Sequence, residues 1–280
     1  MFFSGIADES GRPIETQIRA HQELGWDHIE IRNVNATTLA YADDEEFDSI
    51  RGKLGEAGIQ VSCFASKLAN WARDIKAPLA EDIDELRRSI PRMHKLNTPF
   101  IRIMTWANKS KVSEAEWRKD GLARMKEIVK IAEDDGVTLV HENCDGWAGL
   151  SPENTLELLA EVDSPALKLV YDTGNPVGHA QDPWDFYTKV RPHIVYVHIK
   201  DGTLTADEKA IYSWPGEGDG RVLDVLSDLF KTGYDGGVSI EPHLKMVVHE
   251  GKDASPEEKY TSYIRYGKLL MELVEKTKPA

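Results

Sequence analysis

Acidic and imidazole side chains follow four short apolar segments in the second half of the sequence. In chain order they are Glu142, Asp172, His198 and Glu241. One such residue alone reads as a polar group at the end of a strand, but four in succession are hard to ascribe to chance. Three carboxylates held together without a cation would repel one another and raise a pKa. The set therefore predicts a site for one divalent metal ion.

The chemistry of these side chains narrows the choice of ion. Three oxygen ligands and one imidazole form a hard set, which favours Mn²⁺, with Mg²⁺, Co²⁺, Fe²⁺ or Zn²⁺ as alternatives. No cysteine belongs to the set, which argues against a thiolate site. Four protein ligands leave positions on an octahedral ion where neighbouring oxygens of a substrate can bind.

The elements that must position these residues alternate along the chain. Strands that alternate with amphipathic helical segments are typical of a parallel sheet. Eight such units in 280 residues favour an α/β fold, a single (β/α)8 TIM barrel over residues 1–280, in which the strand ends converge on one rim. An open doubly wound sheet is the alternative. The strands are predicted near residues 2–7, 28–32, 59–65, 100–104, 137–142, 167–172, 194–198 and 238–241.

Helix signals support this alternation. Pro13 is predicted to open the first helix at its first position, and Gly25 to follow its end. Ser113 begins a capping box that opens a later helix. Pro91 lies inside the helical pattern over 79–96 and predicts a kink or two short helices there.

Composition excludes several classes of function. The chain has 34 Lys and Arg against 48 Asp and Glu, a net charge of −14, which argues against a nucleic-acid or membrane-surface partner. Two cysteines are too few for a disulfide framework and fit a reducing compartment. No signal peptide is indicated, and no run approaches the ~18 apolar residues of a membrane span. We therefore expect a cytoplasmic protein.

The segments around the four residues resemble motifs of the xylose-isomerase-like barrel superfamily, which includes ketose 3-epimerases, hydroxypyruvate isomerases and inosose-processing enzymes. The resemblance covers essentially the full chain and is more specific for the superfamily than for a substrate. It implies a metal-dependent isomerase or epimerase of carbohydrate metabolism that acts on a keto-sugar or related compound through a cis-enediolate. Glu142 and Glu241 would serve both as metal ligands and as the catalytic groups that face the reacting carbon. The segments that carry the resemblance are Glu142-Asn143, Asp172-x-x-Asn175, His198-Ile-Lys-Asp201, Pro215-Gly-Glu-Gly218 and Ser239-Ile-Glu-Pro-His243.

Three departures argue against a free ketohexose as substrate. Ketose 3-epimerases carry a His at the position of Asn175 and an Arg at that of Leu204, and many superfamily members have a His where this chain has Cys144. Lys200 and Asp201 are expected to bind substrate hydroxyls or a carboxylate instead. A metal-dependent dehydratase or lyase that acts on a keto-sugar or keto-inositol at the same site is the alternative.

Six further residues are candidates for substrate binding. Asn175 follows the acidic end of the sixth strand, and Glu30 has the parity of an inward residue on strand two, although a buried ion pair would explain it equally well. His179 and His243 lie beyond strands six and eight. Two tryptophans in loops after strands are expected to stack on a sugar or to close the loop against water; they are Trp106 and Trp214.

The expected partner is a small sugar or polyol, with no nucleic acid and no membrane. A homodimer or homotetramer is plausible because related barrels often form them. Two other functions are less well supported. The abasic-site endonuclease branch of this group needs extra histidines on strands three and four, which end in Cys63-Phe64-Ala65 and Met104-Thr105-Trp106. A metal-free sugar-binding barrel without turnover would bind its ligand undiminished in Glu142→Gln.

Overall fold

The computed structural model describes residues 1–35, 37–207, 209–244 and 254–278. Eight parallel strands in this part form one sheet in which the second to the eighth strand pair in sequence order, and the first strand pairs with the last. A single bridge between Ile6 and Glu30 joins the remaining two edges, so the barrel is nearly closed. The predicted TIM barrel is confirmed. The strands are β1 Phe2–Gly5, β2 His28–Ile31, β3 Gln60–Ala65, β4 Phe100–Ile103, β5 Thr138–Glu142, β6 Leu167–Asp172, β7 Ile194–Ile199 and β8 Gly237–Ile240.

Helices cover the outside of the barrel. Pro13 is the N-cap of the first helix rather than its first residue, and Gly25 ends that helix in the left-handed conformation with φ 71°. The helices are α1 Ile14–Leu24, α2 Asp44–Glu56, α3 Ala80–Leu96, α4 Glu114–Asp134, α5 Pro152–Val162, α6 Asn175–Gly178, α7 Pro183–Val190, α8 Val222–Lys231 and α9 Pro256–Thr277. The part of the chain described here has no helix both long and apolar enough to span a membrane.

Pro91 does not divide α3 into two helices, contrary to one form of the prediction. The helix runs from Ala80 to Leu96 with the proline inside it. Proline removes one backbone donor, but the residues on either side of it, Ile90 and Met93 among them, are buried in the core. Packing of this apolar face compensates for the missing hydrogen bond.

Side chains that point into the barrel change character along each strand. Val140, Val170 and Tyr196 form a small apolar cluster with Cys63 inside the barrel. Two residues further along β5, β6 and β7 come Glu142, Asp172 and His198, which share the inward direction because side chains alternate along a strand. The barrel therefore has an apolar plug beneath a polar upper layer, and the upper layer holds the predicted ligands.

Candidate metal centre

The four predicted ligands lie together at the carboxyl ends of β5 to β8. Glu142, Asp172 and His198 are on β5, β6 and β7, and Glu241 directly follows β8. One ligand atom from each side chain lies within 4.8 Å of the ligand atoms of the other three, and all four residues are buried. We call these four residues the open cluster.

Each carboxylate of the open cluster has one oxygen held by the protein and one turned toward the others. Oδ1 of Asp172 accepts hydrogen bonds from the backbone N–H groups of Gly174 and Asn175 at 2.9 and 2.7 Å. Its Oδ2 is buried and has no hydrogen-bond partner among the described residues. The short turn after β6 thus fixes the carboxylate and leaves one oxygen for a ligand.

The two glutamates are held in the same way by arginines. Arg102 Nη1, on β4, donates to Glu142 Oε2 at 2.8 Å, and Arg32 Nη1 lies 3.5 Å from Glu241 Oε1. The other oxygens, Glu142 Oε1 and Glu241 Oε2, lie 3.5 and 3.8 Å from His198 Nδ1. Asn175 Nδ2 also donates to Glu142 Oε1, at 3.2 Å.

His198 is oriented by a carboxylate behind it. Its Nε2 lies 3.0 and 3.1 Å from the two oxygens of Glu30, and Ser239 Oγ donates to Glu30 at 2.7 Å. Nε2 therefore carries a hydrogen, and Nδ1 points into the open cluster without a hydrogen-bond partner among the described residues. A carboxylate on the outer nitrogen is the usual way in which proteins orient a metal-binding histidine.

Lys200 supplies the positive charge inside the open cluster. Its Nζ lies 3.1 Å from Asp172 Oδ2 and 3.0 Å from Glu241 Oε2. The side chain is buried, so the ammonium group is enclosed by the carboxylates.

The surroundings of Glu142 and Asp172 shift the pKa values of these two carboxyl groups in opposite directions. Burial would raise the pKa of Glu142, but Arg102 and His198 lower it to about 2. Burial raises the pKa of Asp172 to about 6, against the opposing effect of Lys200 and with the help of the two neighbouring glutamates. Burial would lower the pKa of His198, but Glu30 and Glu142 raise it well above its ordinary value. The open cluster therefore holds protons that a cation would displace.

The donor set fits a divalent cation. Two buried atoms, Asp172 Oδ2 and His198 Nδ1, have no hydrogen-bond partner among the described residues and face two glutamate oxygens. Buried polar atoms are rarely left without partners, and three oxygens with one imidazole suit a hard or borderline ion. The arrangement is thus a candidate metal centre with its outer contacts already formed.

A cavity of about 870 Å³ opens above the open cluster. Glu142 and Glu241 line it, whereas Asp172 and His198 are not among the described residues of its wall. Four of the predicted substrate-binding residues also line this cavity, namely Asn175, His179, Lys200 and His243. His243 Nδ1 lies 3.2 Å from Glu9 Oε1. A substrate in the cavity would therefore meet both glutamates directly.

Two further predicted substrate residues, Glu30 and Asp201, are placed away from the cavity. Glu30 is fully buried behind His198 and contacts that ring. Asp201 accepts hydrogen bonds from the backbone N–H groups of Gly216, Gly218 and Gly220. Its carboxylate is therefore held by this glycine-rich loop in the structure.

The two tryptophans also lie away from the described wall of the cavity. Trp106 is fully buried, and its Nε1 donates to Asp82 Oδ2 at 2.8 Å. Trp214 packs against Tyr266, and Arg265 lies 4.2 Å above its ring. Neither is among the described residues of the cavity wall.

Two buried charges next to the site, Arg102 and Glu9, were not predicted. Arg102 lies between Ile101 and Ile103, and this single charge in an apolar strand was the available signal that its side chain points inward. Glu9 is in the turn after β1, and its carboxylate contacts Arg32 and His243. No strand pattern marks Glu9 as a buried residue.

Comparison with known proteins agrees with the fold. The model of the xylose isomerase-like TIM barrel family matches residues 18–276. The chain is 28% identical over 181 residues to the 2-epi-5-epi-valiolone 7-phosphate 2-epimerase of Actinoplanes sp.. The aligned residues cover 64% of this chain and 63% of the relative. It is 22% identical over 236 residues to the inosose dehydratase of Geobacillus kaustophilus. This alignment covers 74% of this chain and 75% of the relative.

The chain spans less than two thirds of the length of some curated relatives that it matches, 63% in the case of the epimerase. Among solved structures, the IOLI protein with a bound zinc atom superposes with a TM-score of 0.77 at 19% identity, covering 100% of both chains. At that identity the likeness shows the fold alone.

Proposed function

The chain belongs to the xylose isomerase-like TIM barrel family, and from this and the open cluster we propose that it is a metal-dependent isomerase or epimerase of keto-sugars or related polyols. The proposed ligands are Glu142, Asp172, His198 and Glu241, and the proposed ion is Mn²⁺. Zinc is found in a protein of the same fold, the IOLI protein, and it is one of the alternatives.

The observation that carries this proposal is that only two of the four buried ligands line the cavity. Asp172 and His198 are enclosed, each held from behind by the protein, while Glu142 and Glu241 also face the cavity. The two glutamates can therefore hold an ion and touch a substrate at the same time. A polar cavity of about 870 Å³ is large enough for a sugar or cyclic polyol.

In the proposed reaction, one glutamate removes the proton next to the substrate carbonyl, and either glutamate returns it. The bound cation would supply the electrophile that acidifies this proton. Such help matters because Arg102 and His198 lower the pKa of Glu142, which weakens its carboxylate as a base. Arg102 and Arg32 fix the outer oxygens of Glu142 and Glu241, and so aim the inner oxygens at the substrate. Asn175 donates to Glu142 and sets its rotation.

A dehydratase that acts on a keto-sugar or keto-inositol is the second candidate. His179 and His243 both line the cavity and are able to give a proton to a departing hydroxyl. The match with an inosose dehydratase over 74% of the chain also supports a dehydratase as the second candidate. In this reaction the same proton is removed, but water leaves instead of the proton being returned.

Incubation in D₂O distinguishes the two. The purified protein, loaded with Mn²⁺, is incubated with a panel of ketoses, their phosphates and keto-inositols, and the products are followed by NMR. Deuterium at a carbon next to the carbonyl in an intact sugar supports the isomerase or epimerase. A dehydrated product supports the lyase. If no compound of the panel exchanges a proton or loses water, while the metal is bound, the proposed reaction class is wrong.

A further inference from the structure

Lys200 occupies the region of the open cluster in which the proposed cation would sit. Its Nζ contacts Asp172 Oδ2 and Glu241 Oε2 at 3.1 and 3.0 Å. These are the oxygens turned toward the other ligands; the outer oxygens are held by backbone N–H groups and by Arg32. The ammonium group and a metal ion would therefore use the same two ligand atoms.

Two like charges cannot share these oxygens at close range. A cation bound by Asp172 and Glu241 would lie within a few ångströms of the ammonium group, and repulsion at that distance in a buried site is strong. At the same time, the lysine keeps the acidic groups from facing one another uncompensated when no ion is bound. The lysine pairs with the same two oxygen atoms that a metal ion would use, so the lysine and the ion cannot both occupy them.

The surroundings of Lys200 let its side chain move while its backbone stays in place. Thr173 Oγ1 donates to the backbone oxygen of Lys200 at 2.6 Å and accepts from its N–H at 3.1 Å. The side chain passes over Gly174, where an added Cβ would lie 2.8 Å from Lys200 Cγ. The residue also lines the cavity, with Nζ 5.8 Å from the centre of the Tyr212 ring. An outward position is therefore open to the ammonium group.

We propose that Lys200 is an internal counter-ion that metal binding displaces from Asp172 and Glu241 toward the cavity. In the metal-free protein the lysine compensates the charge of the two carboxylates, and the bound ion takes its place. Metal affinity is then lower than the four ligands alone would give, since the ion must first break two buried ion pairs. The displaced ammonium group adds a positive charge to the cavity wall only when the metal is in place.

This inference rests on the proposed metal site, and its test separates the two. Binding of Mn²⁺ to the metal-free protein is measured by titration calorimetry for wild type, Lys200→Met and Lys67→Met. Lys67 lines the same cavity at some remove from the open cluster and controls for the loss of a cavity charge. We expect Lys200→Met to bind Mn²⁺ at least about tenfold more tightly than wild type, because no ion pair must be broken, and Lys67→Met to change affinity less than about twofold.

The outcomes differ for the two proposals. Wild type that binds no Mn²⁺ overturns both. Wild type that binds Mn²⁺, with Lys200→Met binding equally or more weakly, overturns the counter-ion role and leaves the proposed function intact.

A second measurement keeps the test valid if Lys200→Met does not fold. Wild-type protein is treated with an amine-acylating reagent with and without Mn²⁺, and modification at Lys200 is followed by peptide mass spectrometry. Displacement predicts faster acylation of Lys200 in the presence of Mn²⁺, with Lys67 unchanged. Equal or slower acylation of Lys200 overturns the inference.

Discussion

Two buried acidic clusters lie near the same rim of the barrel, and they differ in how their oxygens are satisfied. In the first, which we call the closed cluster, Asp82 and Glu85 of α3 pair with Arg73. Trp106 Nε1 donates to Asp82 at 2.8 Å, and the backbone N–H groups of Ala69 and Lys67 donate to Asp82 and Glu85 at 2.8 and 2.9 Å. Every carboxylate oxygen of the closed cluster has a donor from the protein.

The open cluster uses the same residue types, but two atoms toward its centre make no hydrogen bond to the described residues. Asp172 Oδ2 and His198 Nδ1 have no hydrogen-bond partner among the described residues, and one lysine supplies the local charge. Burying carboxylates is therefore not by itself a sign of a site. The sign is that the outer oxygens are held by the protein while the inner ligand atoms converge, and two of these buried inner atoms make no hydrogen bond to the described residues, which is rare for buried polar atoms.

The largest expected effect is on the reaction. Glu142→Gln and Glu241→Gln each remove a group that moves the proton, and the rate of deuterium exchange should fall roughly 10²–10⁴-fold. Asp145 lines the same cavity with an exposed carboxylate, so Asp145→Asn is the matched control and should keep activity within about tenfold. Loss of the same size in Asp145→Asn would mean that any cavity carboxylate, rather than the open cluster, governs the rate.

A substitution in the closed cluster should instead lower the stability of the fold. Arg73→Met leaves the carboxylates of Asp82 and Glu85 buried without their cation, which should lower the free energy of unfolding by about 3–5 kcal/mol. Urea denaturation measures this change. Mn²⁺ affinity of the folded variant should stay at the wild-type value, and a large loss of metal affinity would show that the two clusters are coupled.

A smaller effect is expected from the residue behind His198. Glu30→Gln keeps the size of the side chain but removes the charge that orients the imidazole, and metal affinity should fall about 10–100-fold. Asp201→Asn is the control, because Asp201 is also a buried acid but holds the glycine-rich loop. Unchanged metal affinity in Glu30→Gln would argue that His198 does not bind the ion through Nδ1.

The smallest effect is the pH dependence of metal binding. Asp172 has a pKa of about 6 in the absence of a metal, so below that pH the ion must displace its proton. The apparent affinity for Mn²⁺ should therefore fall at least about tenfold per pH unit below pH 6, and less steeply above it, where only the proton held by the raised pKa of His198 must be displaced. Calorimetry from pH 5 to 8 measures the profile, and an affinity that rises on acidification would contradict the assignment of Asp172 as a ligand.

The fold and the proximity of the four proposed ligands could be predicted because both depend on local pattern. Alternation of apolar runs and amphipathic helices placed each strand within a few residues, as for β6, predicted and observed at Leu167–Asp172. Once the barrel is assumed, the ends of neighbouring strands must meet, and this brings together Glu142, Asp172, His198 and Glu241.

The positions of the other candidate side chains were less predictable because loop side chains are directed by distant partners. Trp106 looked available for stacking, but its indole is held by Asp82, on a helix that precedes it in the chain. Asp201 is held by amides of a loop 15 to 19 residues later. Arg102 was overlooked because a single charge inside an apolar strand does not alter the strand pattern. Its guanidinium group nevertheless donates a hydrogen bond to Glu142.

The most direct test is a crystal structure of the protein grown with Mn²⁺, with anomalous diffraction recorded to locate the ion. We predict one peak within about 2.0–2.6 Å of Glu142, Asp172, His198 Nδ1 and Glu241. A peak elsewhere, or none at a Mn²⁺ concentration that saturates binding, would contradict the assignment of the open cluster as a metal centre.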